Sequence, residues 1–252
     1  MQVVGYETER PGRDAALVLA SDGSVTRETL TPGADLSFSL GDRWCAGTVA
    51  DGDHVACDRE QTPYCDQHAS TWVCARCTGT CLKPEMDCFE EHAVYLAAFA
   101  PDAFKVGVTK AWRLETRLRE QGADRAAHVH TVSNGRIARE LEAGYTDLVT
   151  DRVRVPTKIA GLADTVDERA WQGLLDEFDV IETFDFDYGL DLDVRPVAEP
   201  ILTGTVVGTK GRILVVATGG TTYAVDVRDL VGYGVTRETS DRRVQSSLGS
   251  FS

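Results

Sequence analysis

At 252 residues the chain exceeds the roughly 100–150 of a common domain, so one core domain with one or two small modules is expected. It holds no run of the ~20 apolar residues a membrane helix needs, and its start, MQVVGYETERPGRD, is not a basic-then-apolar leader; the expectation is a soluble, cytoplasmic protein without membrane contact. The net charge of −14 comes with few lysines, Lys83, Lys105, Lys110, Lys158 and Lys210, and an acidic, Lys-poor surface of this kind predicts a halophilic protein. Such a surface is acidic whatever its partner, so the charge does not exclude nucleic acid. At molar salt phosphate neutralisation is screened, and binding must lean on stacking and hydrogen bonds.

In chain order, residues 1–42 read as an N-terminal β segment of short strands, VVGY, AALVLA, SVTRETL and LSFSL, punctuated by Gly, Pro and Asp. Residues 43–92 are Cys-rich with little apolar periodicity. Residues 93–160 then read as strand (VYLAAF), turn, strand (FKVGVT), helix (AWRLETRLREQG), strand (AAHVHTV) and helix (NGRIARELEAGYTDLV), a hairpin plus helical crossover that makes an α+β unit. Residues 161–197 hold an amphipathic helix, about Thr165 to Phe178, and the acidic segment ETFDFDYGLDLDVRP, which fits an edge strand or a linker. Residues 198–240 alternate and break at Gly-containing turns, GTKGR and TGG, as a small β barrel or meander would, and 241–252 form a polar tail expected to be mobile.

Seven cysteines without an export signal argue for metal rather than disulfides. Cys65-x-x-His68 and Cys74-x-x-Cys77 have knuckle spacing, which lets two ligands and their turn share one tetrahedral ion. With His68 the thiols offer eight donors, enough for two structural zinc ions. A cross-braced pairing groups Cys45, Cys57, Cys74 and Cys77 against Cys65, His68, Cys81 and Cys88. A sequential pairing groups Cys45, Cys57, Cys65 and His68 against Cys74, Cys77, Cys81 and Cys88. His92 is a further candidate partner of Cys88, and an iron–sulfur cluster is the alternative to zinc. The segment is too short for a core of its own, so metal would supply its folding energy.

Downstream, Tyr95 falls in the first strand, Lys105 opens the second, and Gly107 lies where the two come close. Arg113 and Arg117, four apart, project from one helix face, and Glu142 sits four residues after Ala138 on the next helix. A phenol, guanidiniums and a carboxylate at a strand–helix junction suit phosphodiester chemistry. The plainer reading of the same residues is a core tyrosine and a solvated arginine face.

The order VYLAAF, KVGVT, RLETRLREQG, IARELE resembles the GIY-YIG endonuclease superfamily, in the branch whose second motif begins with Lys. From about Trp44 to Val235 the chain resembles the domain of unknown function 2797 family, most specifically at EHAVYLAAF, KVGVTK and RLREQGA. These resemblances imply a GIY-YIG-like three-stranded sheet with helices, preceded by a zinc-binding module and flanked by small β modules. They also imply that Tyr95 helps activate water, that Gly107 permits close backbone approach, and that Arg117 or Arg113 stabilises phosphate charge. Glu142 would hold a single divalent ion, Mg2+ or Mn2+, as Lewis acid. Lys105 stands where the second tyrosine would be, and the helix arginine is displaced by about two residues from the usual spacing. A lysine can neutralise phosphate but shuttles a proton at neutral pH only if its pKa is strongly lowered.

Three functions follow as expectations: a zinc-stabilised nuclease, a nucleic-acid-binding zinc protein without catalysis, and a protein-interaction adaptor. In the second, Trp44, Trp72 and Trp112 are candidate stacking residues.

Overall fold

Alternating apolar residues drive both ends of the chain into strands. In the computed structural model, which describes residues 1–69 and 73–237, the N-terminal strands are β1 (Gln2–Glu7), β2 (Ala16–Ser21), β3 (Ser24–Thr29), β4 (Asp35–Arg43), β5 (Thr48–Ala50) and β6 (Asp53–Val55). The middle of the chain forms β7 (His92–Phe99), β8 (Ala103–Lys110), α1 (Leu114–Gln121), β9 (Arg125–Val132), α2 (Gly135–Gly144), α3 (Val155–Ala160), α4 (Glu168–Leu175) and β10 (Glu182–Asp185). The C-terminal strands are β11 (Val197–Ala198), β12 (Leu202–Lys210), β13 (Ile213–Thr218), β14 (Thr221–Asp226) and β15 (Tyr233–Arg237). The architecture is mixed α+β and mostly sheet. Among the described residues no helix is long and apolar enough to cross a membrane. Trp72 and the expected tail 241–252 lie outside the described residues.

The two ends, read separately from sequence, share one 11-stranded sheet of order β11-β14-β13-β12-β4-β15-β1-β2-β3-β6-β5. Strand β4 joins them, pairing antiparallel with both β12 and β15. The sheet wraps a core to which Val3, Leu17, Leu19, Leu36, Phe38, Leu202, Leu214, Val216, Leu230 and Val235 contribute. A C-terminal barrel standing alone is therefore not what forms. Strands β12, β13 and β14 pair in succession, but β12 and β15 also find partners across more than 160 residues, as in Phe38 opposite Leu202.

The second sheet has four strands, in the order β10-β9-β7-β8, rather than the expected three. The acidic segment supplies the addition: β10 lines up along β9, with Glu182 opposite His128 and Asp185 opposite Arg125. Successive side chains of β7 divide between its faces. Tyr95, Ala97 and Phe99 pack with Leu114 and Leu118 of α1. Val94, Leu96 and Ala98 pack on the other side with Ala138 of α2 and Trp171 and Leu175 of α4.

Helix α3 was not legible in the sequence, yet it ties the sheets together. Pro156, at the start of the helix, suits a position where the backbone N–H has no intrahelical partner. Its Ile159, with Leu162, packs onto Ile213, Val215 and Ala224 of the large sheet. A second junction is formed by backbone: a Cβ on Gly211, in the β12–β13 turn, would lie 2.5 Å from the amide nitrogen of Gly122, the residue that ends α1. Beside it Lys210 Nζ donates to Asp124 Oδ1 at 2.6 Å, a pair largely shielded from solvent.

Candidate functional site

The first site is thiolate-rich. Cys45 follows β4, Cys57 follows the β5–β6 hairpin, and Cys65 and His68 share a turn closed by the His68 N–H donating to the Cys65 carbonyl at 2.8 Å. The four donor atoms lie within 4.8 Å of one another. Cys45 Sγ and Cys65 Sγ are each 3.3 Å from His68 Nδ1, and Cys57 Sγ is 4.0 Å from Cys65 Sγ. Thiolates on a tetrahedral zinc with Zn–S of about 2.3 Å stand roughly 3.8 Å apart, so the set matches a closed four-coordinate site.

The local electrostatics favour a thiolate. Burial raises the Cys65 thiol, but the backbone N–H groups of Gln67 and His68 and the neighbouring Cys45 and His68 side chains outweigh it and bring Cys65 to about 6. This cluster can hold a metal ion such as zinc. It is the first half of the sequential pairing. Among the described residues Cys74, Cys77, Cys81 and Cys88 are half-buried and do not gather into a second such group. Cys88 lies near His92 beneath the start of α2, where a Cβ on Gly135 would come within 3.1 Å of both.

The strand–helix residues divide. Tyr95 is 1% exposed and lies opposite Gly107, so close that a Cβ there would stand 2.5 Å from the phenol oxygen. The phenol oxygen accepts from Gln121 Nε2 at 2.6 Å, and Gln121 Oε1 accepts from Lys105 Nζ at 3.2 Å. Burial of Leu114 and Leu118 leaves Arg113 and Arg117 on the outer side of α1, where both donate to Glu120, at 3.0 and 3.3 Å. Tyr95, Lys105, Arg113 and Arg117 are thus all on the α1 side of the sheet. Glu142 does not join them. It is 9% exposed, one turn from Ala138 on the face of α2 that packs against the opposite side of the sheet, and its carboxylate accepts from Arg139 Nη1 at 2.6 Å.

Between α1 and α3 on one side and β1, β13 and β14 on the other runs an open cleft of about 1190 Å³. Nine lysines and arginines line it against six carboxylates, an excess of positive charge inside a chain of net charge −14. Three of the chain's five lysines, Lys105, Lys158 and Lys210, line it. Arg117, Lys210 and Arg212 have carboxylate partners, Glu120, Asp124 and Asp226. Lys105 and Lys158 instead donate to neutral oxygens of Gln121, Lys158 to its backbone carbonyl at 2.7 Å. The Lys158 ammonium also sits 3.9 Å from the centre of the Phe99 ring. Burial, then the charges of Lys105, Arg212, Arg117 and Lys210, bring Lys158 down to about 7. Cations gathered so closely repel one another, and an anion among them relieves that repulsion.

A family model described as Protein of unknown function (DUF2797) matches residues 46–188. The chain belongs to that family. No curated protein and no solved structure matches the chain. The DUF2797 match takes in Cys57, Cys65 and His68, the β7–β10 sheet and one wall of the cleft with Lys105, Arg117 and Lys158. The facing wall, with Arg212, lies beyond it. Gln121, Lys158, Lys210 and Arg212 are not among the site residues expected from the sequence. Only the scarcity of lysine, which makes each remaining one conspicuous, could have pointed to Lys158 and Lys210.

Proposed function

We propose that this DUF2797 protein is a metal-braced module that binds nucleic acid in the basic cleft without cleaving it. One observation carries the reading: a chain that has nearly dispensed with lysine concentrates three of its five in a single cleft, two of them without a carboxylate partner among the described residues. Phosphate oxygens would accept from Lys105, Lys158, Arg117 and Arg212. With three excess charges neutralising about three phosphates, log K should fall with log salt at a slope of roughly −2 to −3.

The small sheet is taken as a GIY-YIG-like core that has kept the Tyr95–Gly107 contact. What speaks against hydrolysis is the position of Glu142 across the sheet from Tyr95, and a phenol engaged by Gln121 where a water-activating group should be free. The zinc cluster at the edge of the large sheet is assigned to folding, since a closed four-donor site leaves no position for water.

The test is anisotropy titration of labelled oligonucleotides against zinc-loaded protein over a salt series, with gel analysis for cleavage in Mg2+ and Mn2+. Binding that weakens about tenfold or more in Lys105→Ala or Arg212→Ala, with the oligonucleotide intact, supports the proposal. Metal-dependent cleavage abolished by Glu142→Ala would replace it with the nuclease reading. Absence of binding would end it.

A further inference from the structure

Outside the cleft, one aromatic side chain is placed unlike the others. Trp112, in the turn that leads into α1, is 73% exposed, although tryptophan is usually well buried. The indole is not loose. Its Nε1–H donates to Glu90 Oε2 at 3.0 Å, and Glu90 Oε1 accepts from Lys110 Nζ at 2.6 Å. Lys110 Nζ and Arg113 Cζ stand 6.0 and 5.9 Å from the ring centre. The ring is therefore fixed at its edge, flanked by two cations and largely open to solvent. Arg113 is one helical turn from Arg117, which lines the cleft, so the platform and the cleft are joined by a line of guanidiniums. Trp112 precedes Arg117 by five residues, in the 3-10 turn that leads into α1.

We infer that the nucleic acid is single-stranded, with one base stacked on Trp112 while its backbone runs past Arg113 and Arg117 into the cleft. The inference rests on the reading of the cleft as a nucleic-acid site. Its added content comes from the exposed indole. A duplex keeps its base faces covered, whereas an unpaired base offers a face of any sequence to a flat ring. Stacking also survives salt that screens phosphate contacts, which suits the surface this chain carries. The flanking cations favour an anionic polymer over an apolar peptide as occupant.

The experiment compares the zinc-loaded full chain with Trp112→Ala and Trp112→Phe. The probes are a labelled single-stranded DNA, the RNA of the same sequence, the corresponding duplex and inorganic polyphosphate. Wild type should bind the single strands more tightly than the duplex. Trp112→Ala should lose roughly 10- to 100-fold on single strands and nothing on polyphosphate, while Trp112→Phe keeps most of the affinity. Equal single-strand affinity in Trp112→Ala and wild type overturns the inference but leaves the cleft reading intact. Failure of all four polyanions to bind wild type overturns the cleft reading itself. Because the side chain is exposed, the variants test binding rather than folding.

Discussion

Replacing Lys158 by methionine should make the free protein more stable while weakening its hold on polyanions. An unfolded lysine titrates near 10.5 and the folded Lys158 near 7, so below pH 7 the fold carries a charge that it disfavours. A difference of about 3.5 units corresponds to about 5 kcal/mol, an upper bound that local relaxation lowers. Methionine keeps an apolar stem against Phe99 but leaves the Gln121 carbonyl without this donor, at a cost of about 1–3 kcal/mol. The net expectation is a gain of about 1–3 kcal/mol at pH 6, seen as a Tm rise of about 2–4 °C per kcal/mol in a chain of this size. The sign of the pH dependence follows from proton counting. Between pH 7 and 10.5 the unfolded chain holds one proton more than the fold at this residue, so wild-type stability rises with pH and the advantage of the variant shrinks. Thermal melts at pH 6, 8 and 9.5, with and without polyphosphate, read all of this. Lys158→Met that is less stable at pH 6, or an advantage that does not shrink from pH 6 to 9.5, would refute the argument.

Other outcomes are as specific. Polyphosphate affinity of the wild type should fall as pH rises through about 7, because an anion binds the charged form of Lys158, and calorimetry in two buffers should show proton uptake on binding. Gly107→Ala should cost about 1–3 kcal/mol in denaturant melts, since the new Cβ would meet the Tyr95 ring and oxygen at 2.5–3.0 Å; an unchanged midpoint would show that the two strands can separate freely. Cys45, Cys57, Cys65 and His68 are placed to hold one metal ion, so Cys65→Ser should lower the metal content counted with a chromophoric chelator, and unchanged content would remove these donors from the site. Glu142→Gln should hold oligonucleotide affinity within about twofold, because the carboxylate lies across the sheet from the cleft. A tenfold loss would return it to the site.

What could be read in the sequence was local. The apolar run of β7, the turn into β8, the helix α1 and the strand β9 each carry a local signal, and Cys65-x-x-His68 carries its own turn, so these emerged without tertiary information. The union of the terminal strands did not, because nothing near Phe38 announces Leu202 as its partner. Helix α3, at six residues, is too short to show a period, so nothing in the sequence marked its Lys158 as a site residue. Glu142 illustrates a different limit. Its place on α2 was read correctly, but a helix has several faces, and which one meets the sheet is settled by Ala138 and its packing partners. The cleft is the extreme case, since its charges come from segments as far apart in sequence as Arg10 and Arg228.

The contact between Gly122 and Gly211 gives that cleft a fixed gauge. Side chains at a domain junction can rotate and let two bodies rock, but here main chain rests against main chain, with the shielded Lys210–Asp124 pair alongside. At this point the two walls are held apart by main-chain contact. A Cβ at Gly122 or Gly211 would meet main chain of the other segment at 2.9 or 2.5 Å, so the width of the cleft at this point depends on two side chains that are not there.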